Sequence, residues 1–249
     1  MLLDQTTIFV GAILLLAAYV KGTTGMGFPL IATPVVALLL DIRTAVTILL
    51  IPNIVMDATQ ILRRNFPTEV FRRFAWMLWP NVIGVFLGTK TLVALPIWIL
   101  NLTLGIVVIA FVASNLFRFD PQVTPRLEGI LSPVVGFVGG FIMGMTNAGG
   151  PAFAIYLYSL RLQKTDFIKS IATIFIINKV SQLIAVSTWN LLTPSTLRLS
   201  LVVTLYILLG FYLGLKSQDR VNQKTFNRVL LSLLFVVGVT LIVRALRSD

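Results

Sequence analysis

An all-α membrane protein built from two inverted repeats is the fold class this sequence predicts. Three observations predict it. The 249 residues are 57% hydrophobic and only 12% charged, against about 45–50% and about 25% in an average soluble domain. Apolar stretches follow one another along the whole chain, separated only by short turn and charge clusters. Landmarks of the first half return in the same order in the second.

A helix that crosses hydrocarbon needs about 20 mostly apolar residues, about 17 at the least. The apolar stretches lie near 6–21, 28–40, 44–62, 74–89, 97–117, 129–145, 150–160, 168–188, 197–215 and 229–243. Asp4 stands where a leader peptide would carry basic residues, so the first stretch is expected to be a retained helix. Asp41-Ile42-Arg43, Arg63-Arg64-Asn65-Phe66-Pro67 and Lys216-Ser217-Gln218-Asp219-Arg220 read as turns. Asp120-Pro121-Gln122-Val123-Thr124-Pro125 reads as the linker between halves 1–118 and 129–249, within residues 119–128. Stretches 28–40 and 150–160 would reach only about 16–20 Å at ~1.5 Å per residue, against about 30 Å of hydrocarbon. They start at mid-membrane or belong to re-entrant hairpins. The expectation is eight to ten segments, about five per half, with a discontinuous or re-entrant first helix in each half.

Both short stretches follow similar sequence. Gly22-Thr23-Thr24-Gly25-Met26-Gly27-Phe28-Pro29 aligns without gaps on Gly144-Met145-Thr146-Asn147-Ala148-Gly149-Gly150-Pro151. Ile51-Pro52-Asn53 returns as Ile176-Ile177-Asn178, and Gly84–Lys90 as Gly210–Lys216. The offset drifts only from 122 to 126, which points to a duplicated unit.

Charge sets the expected orientation. If the Arg63–Arg73 loop is cytoplasmic, alternation places loops 118–128, 161–169 and 216–228 there too. Those four hold 13 of the 20 Lys and Arg residues. The opposite side holds Arg43, Lys90, Arg198, Arg244 and Arg247. This satisfies the positive-inside rule and puts both termini outside. Five segments per half is an odd number, so the halves insert in opposite orientations, as in secondary transporters. The net charge of +11 is thereby topology, and no nucleic-acid partner is implied.

The glycine-rich stretches break the helical ladder. Irregular backbone at membrane depth is tolerated only inside protein or against water. A half-helix starting at Phe28 or Gly150 points its positive end at the break, which makes an anion site. The alternative is close helix packing through small residues, which is also the reading for Gly84, Gly88, Gly210 and Gly214. Asp57 and Lys179 lie inside spans, where charge is expensive and usually functional. They pair with each other, or Lys179 faces a substrate while Asp57 carries a proton. Lys21, near a segment end, is expected to snorkel to the interface. Asn53, Asp57 and Gln60 share one helix face; Asn178, Ser181 and Gln182 share another. Both stripes suit a lined cavity or interhelical hydrogen bonds. The four tryptophans, near span ends, read as an aromatic belt.

The chain has no Cys and no His. With one deep carboxylate, an acid–base pair, an activated nucleophile or a metal site can hardly be assembled, so an enzyme is not expected, nor a cofactor or metal. On its two glycine-rich, proline-ending motifs, its length and its duplication, the sequence resembles the TauE/SafE family of sulfite exporter-like permeases over nearly the whole chain. The resemblance implies a prokaryotic inner-membrane transporter, often an exporter, of sulfite, sulfoacetate, taurine-derived or aromatic sulfonates. Asn147 stands where the first motif has Gly25, so the motifs are unequal. Substrate contacts are expected from Gly22, Thr23, Thr24, Gly25, Gly27, Asn53, Thr146, Asn147, Gly149, Gly150, Asn178, Lys179 and Gln182. Asp57 is the expected ion-coupling residue. The expected partners are a small anion and membrane lipids. A transporter of another anion, such as a carboxylate, and an anion channel are the alternatives, and oligomeric state is open.

Overall fold

The computed structural model describes residues 5–63, 68–116, 123–217 and 223–247. The turn residues Arg64–Pro67, linker residues 119–122 and loop residues Gln218–Arg220 lie outside the described residues. Everything regular among the described residues is helical. In chain order the helices are α1 (Gln5–Thr24), α2 (Phe28–Leu39), α3 (Ile42–Ile48), α4 (Leu50–Leu62), α5 (Thr68–Arg73) and α6 (Ala75–Ala94). Then come α7 (Ile97–Leu116), α8 (Pro125–Thr146), α9 (Gly150–Ser159), α10 (Lys164–Thr188), α11 (Pro194–Lys216) and α12 (Gln223–Leu246).

Six helical stretches among the described residues are long and apolar enough to cross a membrane: Ile42–Leu62, Ala75–Ala94, Ile97–Leu116, Leu127–Thr146, Thr165–Thr188 and Pro194–Lys216. Their outward faces are apolar: Val202, Leu205, Leu209 and Leu213 of α11 are all exposed. A soluble monomer rarely shows such a continuous apolar face, and hydrocarbon is the solvent that suits it. Trp76 and Trp79 are exposed at the start of α6, where an interfacial belt places them.

The two short stretches are the second arms of broken helices. Their first arms, α1 and α8, have 20 and 22 residues, whereas α2 has 12 and α9 has 10. Phe28 through Ala37 of α2 are buried without interruption, as expected of a helix apolar all round. Ile42–Leu62 is a single spanning stretch with a kink at Leu49 between α3 and α4. Pro52 has no N–H to answer the Ile48 carbonyl four residues back. Ser200 of α11 donates its hydroxyl to that oxygen at 2.7 Å.

The main packing joins the parts of the chain before and after the linker. The pairs are α1 with α11, α6 with α8, α7 with α12 and α4 with α10. Glycine makes two of these crossings close. A Cβ at Gly84 or Gly88 would run into the Phe137 or Phe141 carbonyl of α8, and one at Gly210 or Gly214 into Leu15 or Tyr19 of α1. The packing reading of these four glycines is therefore the geometry observed. Gly88→Ala is expected to lower the melting temperature, since overpacking costs about 1–3 kcal/mol. Gly129→Ala, with nothing within 4 Å of the added carbon, is expected to raise it slightly, because alanine gains about 0.5–1 kcal/mol over glycine inside a helix. Equal shifts in a detergent thermal melt would contradict this packing.

Arg43 is more than a loop charge. Its guanidinium donates to the carbonyls of Leu92 at 3.0 Å, Val93 at 3.0 Å and Leu95 at 2.7 Å. These include the orphan acceptors at the C-terminus of α6, where a cation also meets the negative end of the helix dipole.

Candidate functional site

The two breaks are built alike. Thr24 donates its hydroxyl to Val20 O at 2.9 Å and accepts from the Met26 N–H at 3.3 Å. Thr146 donates to Ile142 O at 2.9 Å and accepts from the Ala148 N–H at 3.3 Å. Gly25 has φ 86° and Asn147 has φ 65°. Both are left-handed, and asparagine is among the few residues other than glycine that visit that region readily. The Gly25-to-Asn147 change between the motifs therefore keeps the turn. It also adds a side chain, and that side chain reaches Lys179.

Two buried lysines flank the breaks. Lys21, at the end of α1, is fully buried. Its Nζ lies 2.7 Å from Asp57 Oδ1 and donates to Asn53 Oδ1 at 3.0 Å. It also sits 5.6 Å from the centroid of the Phe175 ring of α10. This overturns the expectation that Lys21 snorkels: α4 and α10 close over it before it can reach an interface. It also settles the partner of Asp57, which pairs with Lys21 rather than Lys179.

Lys179 of α10 is equally buried. Its ammonium donates to Gln182 Oε1 at 2.9 Å, to Met143 Sδ at 3.4 Å and, in a very close contact, to Asn147 Oδ1. All three acceptors are neutral. Among the described residues, no carboxylate lies within ion-pair distance of it. Three N–H groups have three acceptors, so the ammonium is satisfied as a donor. Its charge is not balanced.

One side-chain hydrogen bond recurs at a fixed spacing. Gln60 Nε2 donates to Lys21 O at 2.9 Å, and Gln182 Nε2 donates to Met143 O at 3.1 Å. Donor and acceptor both shift by 122 residues. The same shift carries Lys21 to Met143 and Asp57 to Lys179. The alignment of Asn53 with Asn178 needs 125, so it is not the one these bonds follow. Asn53 and Asn178 nonetheless behave alike locally, donating to Leu49 O at 2.8 Å and to Ile174 O at 3.0 Å. Asn178 Oδ1 is left buried without a partner.

Between the breaks lies a small cavity of ≈ 30 Å³. Gly27, the residue before α2, and Gly150, the first of α9, both line it, as do Asn147, Met143 and Phe175. Of the expected contact residues, then, Gly27, Asn147 and Gly150 are on the wall. Lys179 and Gln182 stand one layer behind, touching Asn147 and Met143. The amide nitrogen of Asn147 is buried with no partner, and its neighbouring oxygen is held by Lys179.

Other expected residues stand elsewhere. Thr23, Thr24 and Thr146 donate their hydroxyls to backbone carbonyls one turn back, to Val20, Val20 and Ile142. Gly22 packs against Phe211 O and Gly214 of α11, and Gly149 against Gly139 O of α8. Gly25 faces Ile168 of α10. Lys21 is the residue that sequence reasoning undervalued. Its place one residue before the first motif was the available signal.

Comparison with known proteins agrees with this architecture. The family model described as Sulfite exporter TauE/SafE matches residues 10–241. No curated protein and no solved structure matches significantly. With six helical stretches of membrane-spanning length among the described residues and a family match over almost its whole length, this chain belongs to the TauE/SafE sulfite exporter family of membrane transporters.

Proposed function

We propose that this protein is a secondary transporter that moves a small sulfur-containing anion, such as sulfite or an organosulfonate, by alternating access. One observation carries the reading: the N-terminal ends of α2 and α9 meet at one cavity beside a buried lysine whose partners are all neutral. Helix N-termini present free N–H groups and positive potential to an anion. The unpartnered Asn147 amide adds a donor. A bound sulfonate would replace Met143 Sδ, the weakest acceptor on Lys179, and supply the missing negative charge. Direction is read from the family as export.

The helix pairs support two inverted halves, 1–118 and 129–249 joined by 119–128. Exchanging the halves turns the α1–α11 pair into α8–α6 and leaves α7–α12 and α4–α10 unchanged. With the charge bias of the loops, this reading places the chain in a prokaryotic inner membrane with both termini outside. Asp57 serves as the coupling group: a proton on its carboxylate would release Lys21 from its ion pair.

A thermal-shift screen of purified protein tests the substrate class. Methanesulfonate, sulfite, sulfoacetate and taurine are compared with acetate, and a ligand bound to the native state raises the melting temperature. Stabilisation by sulfonates or sulfite over acetate is expected. Stabilisation by carboxylates alone would move the protein to another anion class.

A further inference from the structure

The central cavity has an apolar neighbour. A second cavity, of ≈ 180 Å³, lies between α7 and the break that separates α8 from α9. Val107, Ala110 and Phe111 form one wall; Pro151, Ala152 and Ile155 form the other. Phe111 and Pro151 line both cavities, so the two adjoin across these side chains. The groove leads outward past Ala110, which is exposed on α7. Its walls are almost wholly apolar. Ser114 is the polar side chain among its lining residues, and its hydroxyl donates to Phe111 O at 2.8 Å; at the inner end Asn147 carries an unpartnered amide in front of Lys179.

We propose that the occupant is an amphiphilic monoanion, its charged head at Asn147 and Lys179 and its apolar tail in the groove between α7 and α9. This rests on the anion site above and extends it. The buried cluster holds two lysines and one carboxylate, Lys21, Lys179 and Asp57, so one negative charge balances it. A tail inside the groove removes apolar surface from water, and its methylenes meet Val107, Phe111 and Ile155. An inorganic anion would leave that groove unused. Taurine would put its ammonium against almost wholly apolar walls, with no carboxylate among the lining residues to pair with it.

A chain-length series tests the proposal. Binding of linear alkane-1-sulfonates from methanesulfonate to octanesulfonate is measured by calorimetry on the purified full chain, below their micelle-forming concentrations. Affinity is expected to rise about threefold to fourfold per methylene until the groove is filled, then to level off. Ala152→Trp and Ala110→Trp obstruct the groove and are expected to flatten the series, with methanesulfonate affinity unchanged. Ala110 is exposed, so its variant keeps the test valid where a tryptophan at Ala152 impairs folding. A flat or falling series in the unaltered protein overturns the proposal. So does a series that still rises in the tryptophan variants, which would report partition into detergent. If methanesulfonate itself fails to bind, the anion site falls and not merely its extension.

Discussion

Lys179→Met is expected to weaken sulfonate binding by about 30-fold to 150-fold, corresponding to the loss of about 2–3 kcal/mol from charge-assisted hydrogen bonds. The argument starts from charge. An ammonium buried among neutral acceptors carries a desolvation penalty that hydrogen bonds only partly offset. Lys21 answers its own charge with Asp57; Lys179 has Asn147, Gln182 and Met143. Methionine has a similar length and removes the uncompensated charge. The empty protein should therefore melt at the same or a higher temperature, while its stabilisation by ligand disappears. This pair of opposite changes separates a binding role from a structural one. A residue needed only for folding would lower the melting temperature and leave ligand affinity alone. Calorimetric titration and thermal melting of the same preparation check both, and intact binding in Lys179→Met would remove this lysine from the site.

Much of this site was legible in the sequence, because breaks in a helix need particular residues. Gly25 and Asn147 mark left-handed positions, Pro29 and Pro151 mark helix starts, and the shortness of 28–40 and 150–160 follows from counting. The packing of Gly84, Gly88, Gly210 and Gly214 was readable from their spacing. What escaped depends on the third dimension. Lys21 lies near a segment end, and position along a segment does not tell how far α4 and α10 extend over it. The hydroxyls of Thr23, Thr24 and Thr146 had two uses open to them, ligand or backbone. A break that frees carbonyls offers the nearer partner, and the backbone takes them. The pairing of Asp57 was undecidable from sequence for the same reason. Two lysines were within reach in principle, and only the place of Lys21 at the end of α1, beside Asn53 and Asp57 of α4, selects one. The groove beside α7 left no trace in composition, since its walls are the ordinary residues of membrane helices.

The ion pair leads to the other large effect. Asp57→Leu is expected to destabilise the protein by about 3–5 kcal/mol, because it strands the Lys21 ammonium without its counter-charge. Lys21→Met strands the carboxylate and should cost about as much. The double variant Lys21→Met with Asp57→Leu should regain most of the loss, since apolar side chains of similar size often replace a buried pair at little net cost. The double-mutant cycle in detergent melts reads this coupling directly. It also divides the structural role of the pair from the coupling role. If Asp57 only neutralises Lys21, the stable double variant transports anion with the pH dependence of the unaltered protein. If Asp57 carries the proton, the double variant is folded and binds sulfonate, yet a pH gradient no longer drives uptake into liposomes. The second outcome is expected. The pair joins α1 immediately before its break to α4, so breaking it by protonation would act on the backbone that shapes the anion cavity. Loss of folding in the single variants together with unaltered pH-driven transport in the double variant would reduce the pair to a structural clamp.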